Sequence, residues 1–170
     1  MDNKKGTVYF FTGLAGAGKT TIGGLFYERL KARKPNVVLS DGDKTRAKNQ
    51  YRDYSYEGRL KGAWGVFEHC KAEADQGNDV VCCSICMYTV IREWNRKNIE
   101  NYKEIYVKAD METLYKRDQK GLYSSGTPNV VGVDIPAEEP ECPDIVIENN
   151  GEETPEQIVD RLEKFFGLSN

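Results

Sequence analysis

The sequence is poor in the residues on which several common functional classes depend. Its 170 residues include one histidine, which excludes most catalytic schemes built on Ser-His-Asp or Cys-His groups. A basic excess is also absent, because 24 lysine and arginine residues stand against 27 acidic ones and leave a net charge of −3. A protein dedicated to DNA or RNA needs that excess for its phosphate contacts, so we expect no nucleic-acid partner.

Long hydrophobic runs are missing as well. The mean hydropathy is −0.65, and no stretch approaches the ~20 apolar residues of a membrane-spanning helix. Residues 1–6 lack the apolar core of a signal peptide. The five cysteines are an odd number, and no second pair accompanies Cys83 and Cys86, which argues against a disulfide framework and against a zinc site. We therefore expect a cytoplasmic protein without a membrane partner.

Apolar runs of strand length alternate with helical patterns along the chain. These runs lie at residues 7–11, 36–39, 79–85, 104–107 and 144–147. Strands separated by helix-length segments require crossover connections, so the sequence predicts one α/β domain over residues 1–170, with a mainly parallel five-stranded sheet and helices on both faces. Residues 119–143 interrupt the alternation with several glycines and prolines, and we expect them to form a mobile lid.

A phosphate-binding motif follows the first predicted strand and opens the first predicted helix. The sequence matches every fixed position of the pattern G-x-x-x-x-G-K-[ST]. The residues of the motif are Gly13, Leu14, Ala15, Gly16, Ala17, Gly18, Lys19 and Thr20. Its glycines let backbone N–H groups turn toward phosphate oxygens, Lys19 reaches the β- and γ-phosphates, and the Thr20 hydroxyl binds Mg²⁺. With Thr21, these residues form the predicted ATP site, and the absence of an N-K-x-D guanine motif argues against a GTPase.

Charged residues follow the second predicted strand, at the rim where open α/β sheets bind ligands. Asp41, Asp43 and Arg46 lie there. A carboxylate at this rim can hold Mg²⁺ through water or accept a proton from a substrate hydroxyl, and the arginine can hold an anionic substrate. Either aspartate could contact the acceptor hydroxyl, and we favour Asp43 for that contact and Asp41 for the Mg²⁺ water shell. Lys19, Asp41 and Asp43 are therefore the predicted catalytic residues.

With these motifs the sequence resembles the adenylylsulfate (APS) kinases, which transfer the γ-phosphate of ATP to the 3′-hydroxyl of adenosine 5′-phosphosulfate. The resemblance extends from about Thr7 to Phe166. Beyond the phosphate loop, residues 117–123 are similar to the family's R-D-P-K-G-L-Y, and residues 132–134 to its G-I-D. The resemblance implies a P-loop kinase fold, the use of ATP and Mg²⁺, a small nucleotide as acceptor, and a homodimer. It also implies that Arg117 lies near the adenine of ATP.

The acceptor half of the site departs from the family pattern. By resemblance, the acceptor is held by Asp43, Arg46, Tyr54, Arg59, Ile85, Cys86, Lys120 and Val130. Cys86 stands where the family has serine, Thr89 where it has arginine, and Val130 where it has a stacking phenylalanine. A lost aromatic wall forfeits ~1–3 kcal/mol of base stacking. In the other departures, Gly62 stands where the family has asparagine, and Trp64 and Gly65 stand where it has arginines.

These departures leave three functions open. The first is a divergent APS kinase. The second is a sister kinase for cytidine diphosphoramidate in capsule phosphoramidate biosynthesis, where a pyrimidine and a phosphoramidate fit altered stacking and fewer arginines. The third is a non-catalytic nucleotide-binding module, but the chain keeps Lys19, Thr20 and Asp41, which phosphoryl transfer needs. We therefore expect an ATP-dependent kinase that phosphorylates the ribose 3′-hydroxyl of a 5′-substituted nucleotide.

Overall fold

The computed structural model describes residues 4–41, 55–118, 121, 123–126 and 130–168. Within these ranges the strands are β1 (Thr7–Thr12), β2 (Val37–Asp41), β3 (Asp79–Cys83), β4 (Asn101–Lys108) and β5 (Ile145–Glu148). The helices are α1 (Lys19–Arg33), α2 (Tyr56–Asp75), α3 (Thr89–Asn98), α4 (Met111–Arg117) and α5 (Pro155–Phe165). All strand pairs are parallel, and the strand order is β2-β3-β1-β4-β5. The predicted α/β fold with a parallel five-stranded sheet is confirmed.

Side chains at two helix starts explain where those helices begin. The Asp110 carboxylate accepts a hydrogen bond from the Thr113 N–H at 2.8 Å and caps α4. Thr154 and Gln157 form a capping box at the start of α5, and Pro155 occupies its first turn. None of the described helices combines the length and the apolar character needed to cross a bilayer.

Strand β3 is shorter than its apolar run predicts. The run continues to Ile85, whereas the strand ends at Cys83. The Ile85 carbonyl accepts a hydrogen bond from Thr12 Oγ1 at 2.5 Å instead of joining the sheet. Cys86 then adopts a φ of 32°, a conformation that few residues other than glycine use. The predicted strand end at Ile85 is wrong, because the chain turns there at the carboxyl edge of the sheet.

Two apolar clusters cover the two faces of the sheet. Successive side chains of a strand point to opposite faces, so the adjacent Phe10 and Phe11 of β1 enter different clusters. The ring of Phe11 packs on Phe26 of α1 with centroids 5.5 Å apart, and Phe10 packs on Phe67 of α2 at 4.8 Å. These rings are fully buried, and each burial contributes roughly 1.5–3 kcal/mol. Helices therefore lie on both faces, as predicted.

Helix α1 approaches the sheet closely at Gly23. A Cβ atom at this position would lie 2.3 Å from Cys83 Sγ and 3.5 Å from the ring of Phe11. At the next residue, Gly24, nothing lies within 4 Å of the Cβ position. The first glycine therefore permits the contact between α1 and β3, whereas the second has no packing role.

We expect Gly23→Ala and Gly24→Ala to change stability in opposite directions. Gly23→Ala should lower the free energy of unfolding by about 1–3 kcal/mol, because the added methyl group overlaps Cys83 in a packed interior. Gly24→Ala should raise it by about 0.5–1 kcal/mol, since alanine is the better helix former. Denaturant unfolding of both variants measures the changes, and a shift of the same sign in both would contradict the close packing at Gly23.

Candidate active site

The phosphate loop, residues 13–18, joins β1 to α1. Its backbone is left-handed at Gly16 and Gly18, where φ is 82° and 109°. A Cβ atom at Gly13 would lie 2.2 Å from the carbonyl oxygen of Val107, so β4 packs directly against the start of the loop. The glycines of the motif thus meet conformational and packing demands that other residues would not.

Hydrogen bonds hold the carbonyl groups of this loop. Leu14 O accepts from Lys19 Nζ at 2.8 Å and from the Ala17 N–H at 3.1 Å. Donors from other segments hold the next three carbonyls: the Tyr123 hydroxyl bonds Ala15 O at 2.5 Å, Arg117 Nη1 bonds Gly16 O at 3.1 Å, and Asn149 Nδ2 bonds Ala17 O at 2.8 Å. Because the C=O and N–H of one peptide group point in opposite directions, the bonds to Ala15 O and Ala17 O direct the N–H groups of Gly16 and Gly18 to the other side. The loop is thereby preorganised as an anion-binding nest at the N-terminus of α1.

Lys19 is the first residue of α1 and is largely buried, with 9% of its surface exposed. Its ammonium group lies inside the loop, on the carbonyl of Leu14. A phosphate bound in the loop would compete with this carbonyl for the ammonium protons. The structure therefore brings the predicted phosphate-binding lysine and the predicted loop into one site.

Thr20 and Asp41 meet at the start of α1 and the end of β2. The Thr20 hydroxyl donates to Asp41 Oδ2 at 3.3 Å, although the two residues are 21 positions apart in the chain. Hydroxyl and carboxylate oxygens are the ligand types that Mg²⁺ prefers, and Mg²⁺ keeps several waters in such sites. The two residues fit a site in which Thr20 contacts the ion and Asp41 holds its water shell.

The predicted acceptor residues are described only in part. Arg59 lies in the first turns of α2, and Ile85 and Cys86 lie in the turn after β3. The bond from Thr12 to Ile85 O ties this turn to the strand that leads into the phosphate loop. Asp43, Arg46, Tyr54 and Lys120 lie outside the described residues, so their roles stay predictions.

Residues that depart from the family pattern have identifiable neighbours. Cys86 and Val130 are 6% and 4% exposed, and they belong to the clusters on opposite faces of the sheet. Trp64 packs edge-to-face on Trp94 with ring centroids 5.7 Å apart. Thr89 accepts a hydrogen bond from Arg92 at 3.3 Å. Packing between α2 and α3 therefore explains Trp64, independently of any acceptor.

No role was predicted from the sequence for two residues of the loop's hydrogen-bond network, Tyr123 and Asn149, although Tyr123 ends the segment 117–123 that resembles the family. Tyr123 lies in the predicted lid segment, and burial raises the pKa of its phenol to about 12, with a smaller contribution from Asp118. It therefore remains a donor at neutral pH. Asn149 directly follows β5, at the carboxyl edge of the sheet where this fold binds ligands. A polar residue directly after a predicted strand is therefore the sequence signal by which Asn149 could have been found.

Part of the predicted lid packs on the phosphate loop. Gly132 has a φ of 89°, and a Cβ atom there would lie 3.0 Å from the side chain of Leu14. The Asp134 carboxylate accepts from the Val130 N–H at 2.5 Å and closes this turn. The glycine and the aspartate of the G-x-D segment thus shape a turn that contacts the loop. Movement of the lid stays a prediction.

Comparisons with known proteins agree with this geometry. Residues 5–148 match the family model described as Adenylylsulphate kinase. The cytidine diphosphoramidate kinase of Campylobacter jejuni is 42% identical over 91% of this chain and 95% of its own, and the adenylyl-sulfate kinase of Bacillus licheniformis is 34% identical over 91% and 84%. The solved structure of the Mycobacterium tuberculosis APS kinase with AMPPNP and APS has a TM-score of 0.87 at 22% identity and covers 96% of this chain and 98% of its own.

A phosphate loop between β1 and α1 of this parallel sheet, together with the similarity to known kinases, defines a P-loop kinase. More narrowly, the chain belongs to the adenylylsulphate kinase family. It is an ATP-dependent phosphotransferase.

We expect Gly132→Ala to weaken ATP binding, because its methyl group would press on Leu14 of the phosphate loop. The matched control is Gly126→Ala, whose φ is also positive, at 67°, but whose Cβ position has nothing within 4 Å. Both variants should lose about 1 kcal/mol of stability from the left-handed backbone. Only Gly132→Ala should raise the KM for ATP, by about threefold or more. An equal KM in the two variants would show that the contact with Leu14 does not shape the site.

Proposed function

We propose that this kinase transfers the γ-phosphate of ATP to the ribose 3′-hydroxyl of a nucleotide that carries a 5′ substituent. The observation that carries the proposal is the preorganised phosphate loop, with Lys19 inside it and the Thr20–Asp41 pair at its edge. All of these groups lie at the carboxyl ends of parallel strands, where this type of fold binds its ligands.

Each group has a role in direct, in-line transfer. The loop N–H groups and Lys19 bind the phosphates and offset the charge that develops during transfer. Thr20 and Asp41 would hold Mg²⁺, which neutralises charge between the β- and γ-phosphates when bound. Arg117 lies beside the loop, where it contacts the carbonyl of Gly16, and this position supports the proposal that it borders the adenine. Asp43 would orient or deprotonate the acceptor hydroxyl.

For the acceptor, we propose cytidine diphosphoramidate ahead of APS. The cytidine diphosphoramidate kinase of Campylobacter jejuni is more similar to this chain, at 42% identity, than the adenylyl-sulfate kinase of Bacillus licheniformis, at 34%. Three departures from the APS kinase pattern support a changed acceptor site. Val130 removes the aromatic wall, Thr89 removes an arginine, and Cys86 replaces a serine. APS remains the second candidate, and the family supports it. We also propose that Arg59 and Arg46 hold the anionic 5′ group.

The family resemblance supports two further proposals, a homodimer and a cytoplasmic location. Light scattering of the purified protein measures its mass, and a monomer of 19.3 kDa would contradict the dimer.

Replacing Lys19 tests the chemistry independently of the acceptor. We expect Lys19→Ala to reduce turnover by ~10²-fold or more, since it removes a preorganised group that stabilises the transition state. Lys116→Ala removes the same charge from an exposed position on α4 and is the control. ADP release in a coupled assay measures both. Near-normal turnover of Lys19→Ala would contradict the assignment of this loop to catalysis.

A comparison of kcat/KM for cytidine diphosphoramidate and APS under matched Mg-ATP tests the acceptor. We expect the cytidine compound to be preferred by about tenfold or more, the discrimination that a few changed pocket contacts provide. A clear preference for APS would overturn the proposed acceptor and leave the kinase chemistry in place. Activity on neither compound would contradict both candidates.

A further inference from the structure

Asn149 connects three segments that surround the phosphate loop. Its backbone N–H donates to Lys108 O at the end of β4 at 2.7 Å, and its carbonyl accepts from Arg117 Nη2 at 2.8 Å. Its side chain reaches back across 132 positions of sequence, where Nδ2 donates to Ala17 O at 2.8 Å. The backbone bonds do not depend on which side chain residue 149 carries. The side-chain bond is therefore a separate function of the asparagine.

The bond to Ala17 O acts on one peptide group of the loop. The carbonyl of Ala17 and the N–H of Gly18 belong to the same planar unit and point in opposite directions. When Asn149 holds the carbonyl on its side, the Gly18 N–H is turned to the opposite side, into the loop. The next residue in the peptide is a glycine with a φ of 109°, so the local backbone does not itself restrain this orientation.

The neighbouring contacts leave this peptide dependent on Asn149. Arg117 Nη1 lies 3.5 Å from Ala17 O, which is a long contact, and makes its shorter bond, 3.1 Å, to Gly16 O. Asn149 Nδ2 is also so close to Gly18 that a Cβ atom there would lie 2.5 Å from it. The absence of a side chain at Gly18 thus makes room for the asparagine amide as well as for the bend of the loop.

We propose that Asn149 is a positioning residue for ATP: its side-chain amide fixes the Ala17–Gly18 peptide so that the Gly18 N–H donates to a phosphate of the nucleotide. This inference rests on the proposed binding of ATP by the loop. It concerns ATP alone and makes no use of the acceptor.

Asn149→Ala removes the side-chain bond and keeps the backbone bonds of residue 149. The control is Asn150→Ala, because the neighbouring Asn150 accepts a hydrogen bond from the N–H of Asp110, the residue that caps α4, at 3.0 Å. Calorimetric titration with a non-hydrolysable ATP analogue and Mg²⁺, without acceptor, gives the affinity. We expect Asn149→Ala to bind about five- to tenfold more weakly, as the loss of one oriented hydrogen bond predicts, with an unchanged acceptor KM. Asn150→Ala should bind as the unmodified protein does.

Asn149→Asp keeps the shape of the side chain and replaces the donor with an oxygen that faces Ala17 O. Asn150→Asp adds the same charge one residue away, so the difference between the two reports on the bond rather than on the charge. We expect the larger loss of affinity in Asn149→Asp. Equal affinities within either pair, or a rise of the acceptor KM that matches the loss for ATP, would overturn the positioning role. If Lys19→Ala binds the analogue as tightly as the unmodified protein, the ATP site itself is misplaced, which is a distinct failure.

Discussion

Hydrogen bonds to four consecutive carbonyl groups, from Leu14 to Ala17, hold the phosphate loop in its shape. A loop rich in glycine has much backbone entropy to lose, and water would serve its carbonyls equally well in an extended chain. The bonds matter because their donors are themselves fixed. Two of them, the Ala17 N–H and Lys19 Nζ, belong to the loop and its helix, and the others come from the end of α4, the segment that follows it, and the residue after β5.

The strand order explains how these donors reach one place. Strand β1 lies in the middle of the sheet, and β4 and β5 follow on one side, so the chain segments after β4 and β5 emerge beside the phosphate loop. Strands β3 and β2 follow on the other side, and they bring the turn at Cys86 and the carboxylate of Asp41. Strand β1 therefore separates the segments after β4 and β5, which hold the nucleotide loop, from Asp41 and the turn at Cys86 on its other side.

The sequence was sufficient for the features that depend on short segments. The phosphate motif, the alternation of strands and helices, and the placement of Asp41 at the carboxyl end of β2 all follow from neighbours in the chain, although the strand extends two residues beyond the predicted run and includes Asp41. Tyr123 and Asn149 could not be recognised in this way, because their partners in the loop lie 108 and 132 positions away. The end of β3 was missed for another reason: Ile85 is as apolar as the strand before it, and the turn depends on the Thr12 side chain and the backbone of Cys86.

The division of the site has an evolutionary consequence. Among the described residues, the side chains that donate to Ala15 O, Gly16 O and Ala17 O of the loop lie outside α2 and outside the turn after β3. If the proposed acceptor residues Arg59, Ile85 and Cys86 bind the acceptor, substitutions there would change the acceptor without removing these bonds to the phosphate loop. Such a separation would let a family acquire new acceptors by small steps while the transfer chemistry is kept, and it would offer a protein engineer a defined surface on which to exchange one acceptor for another.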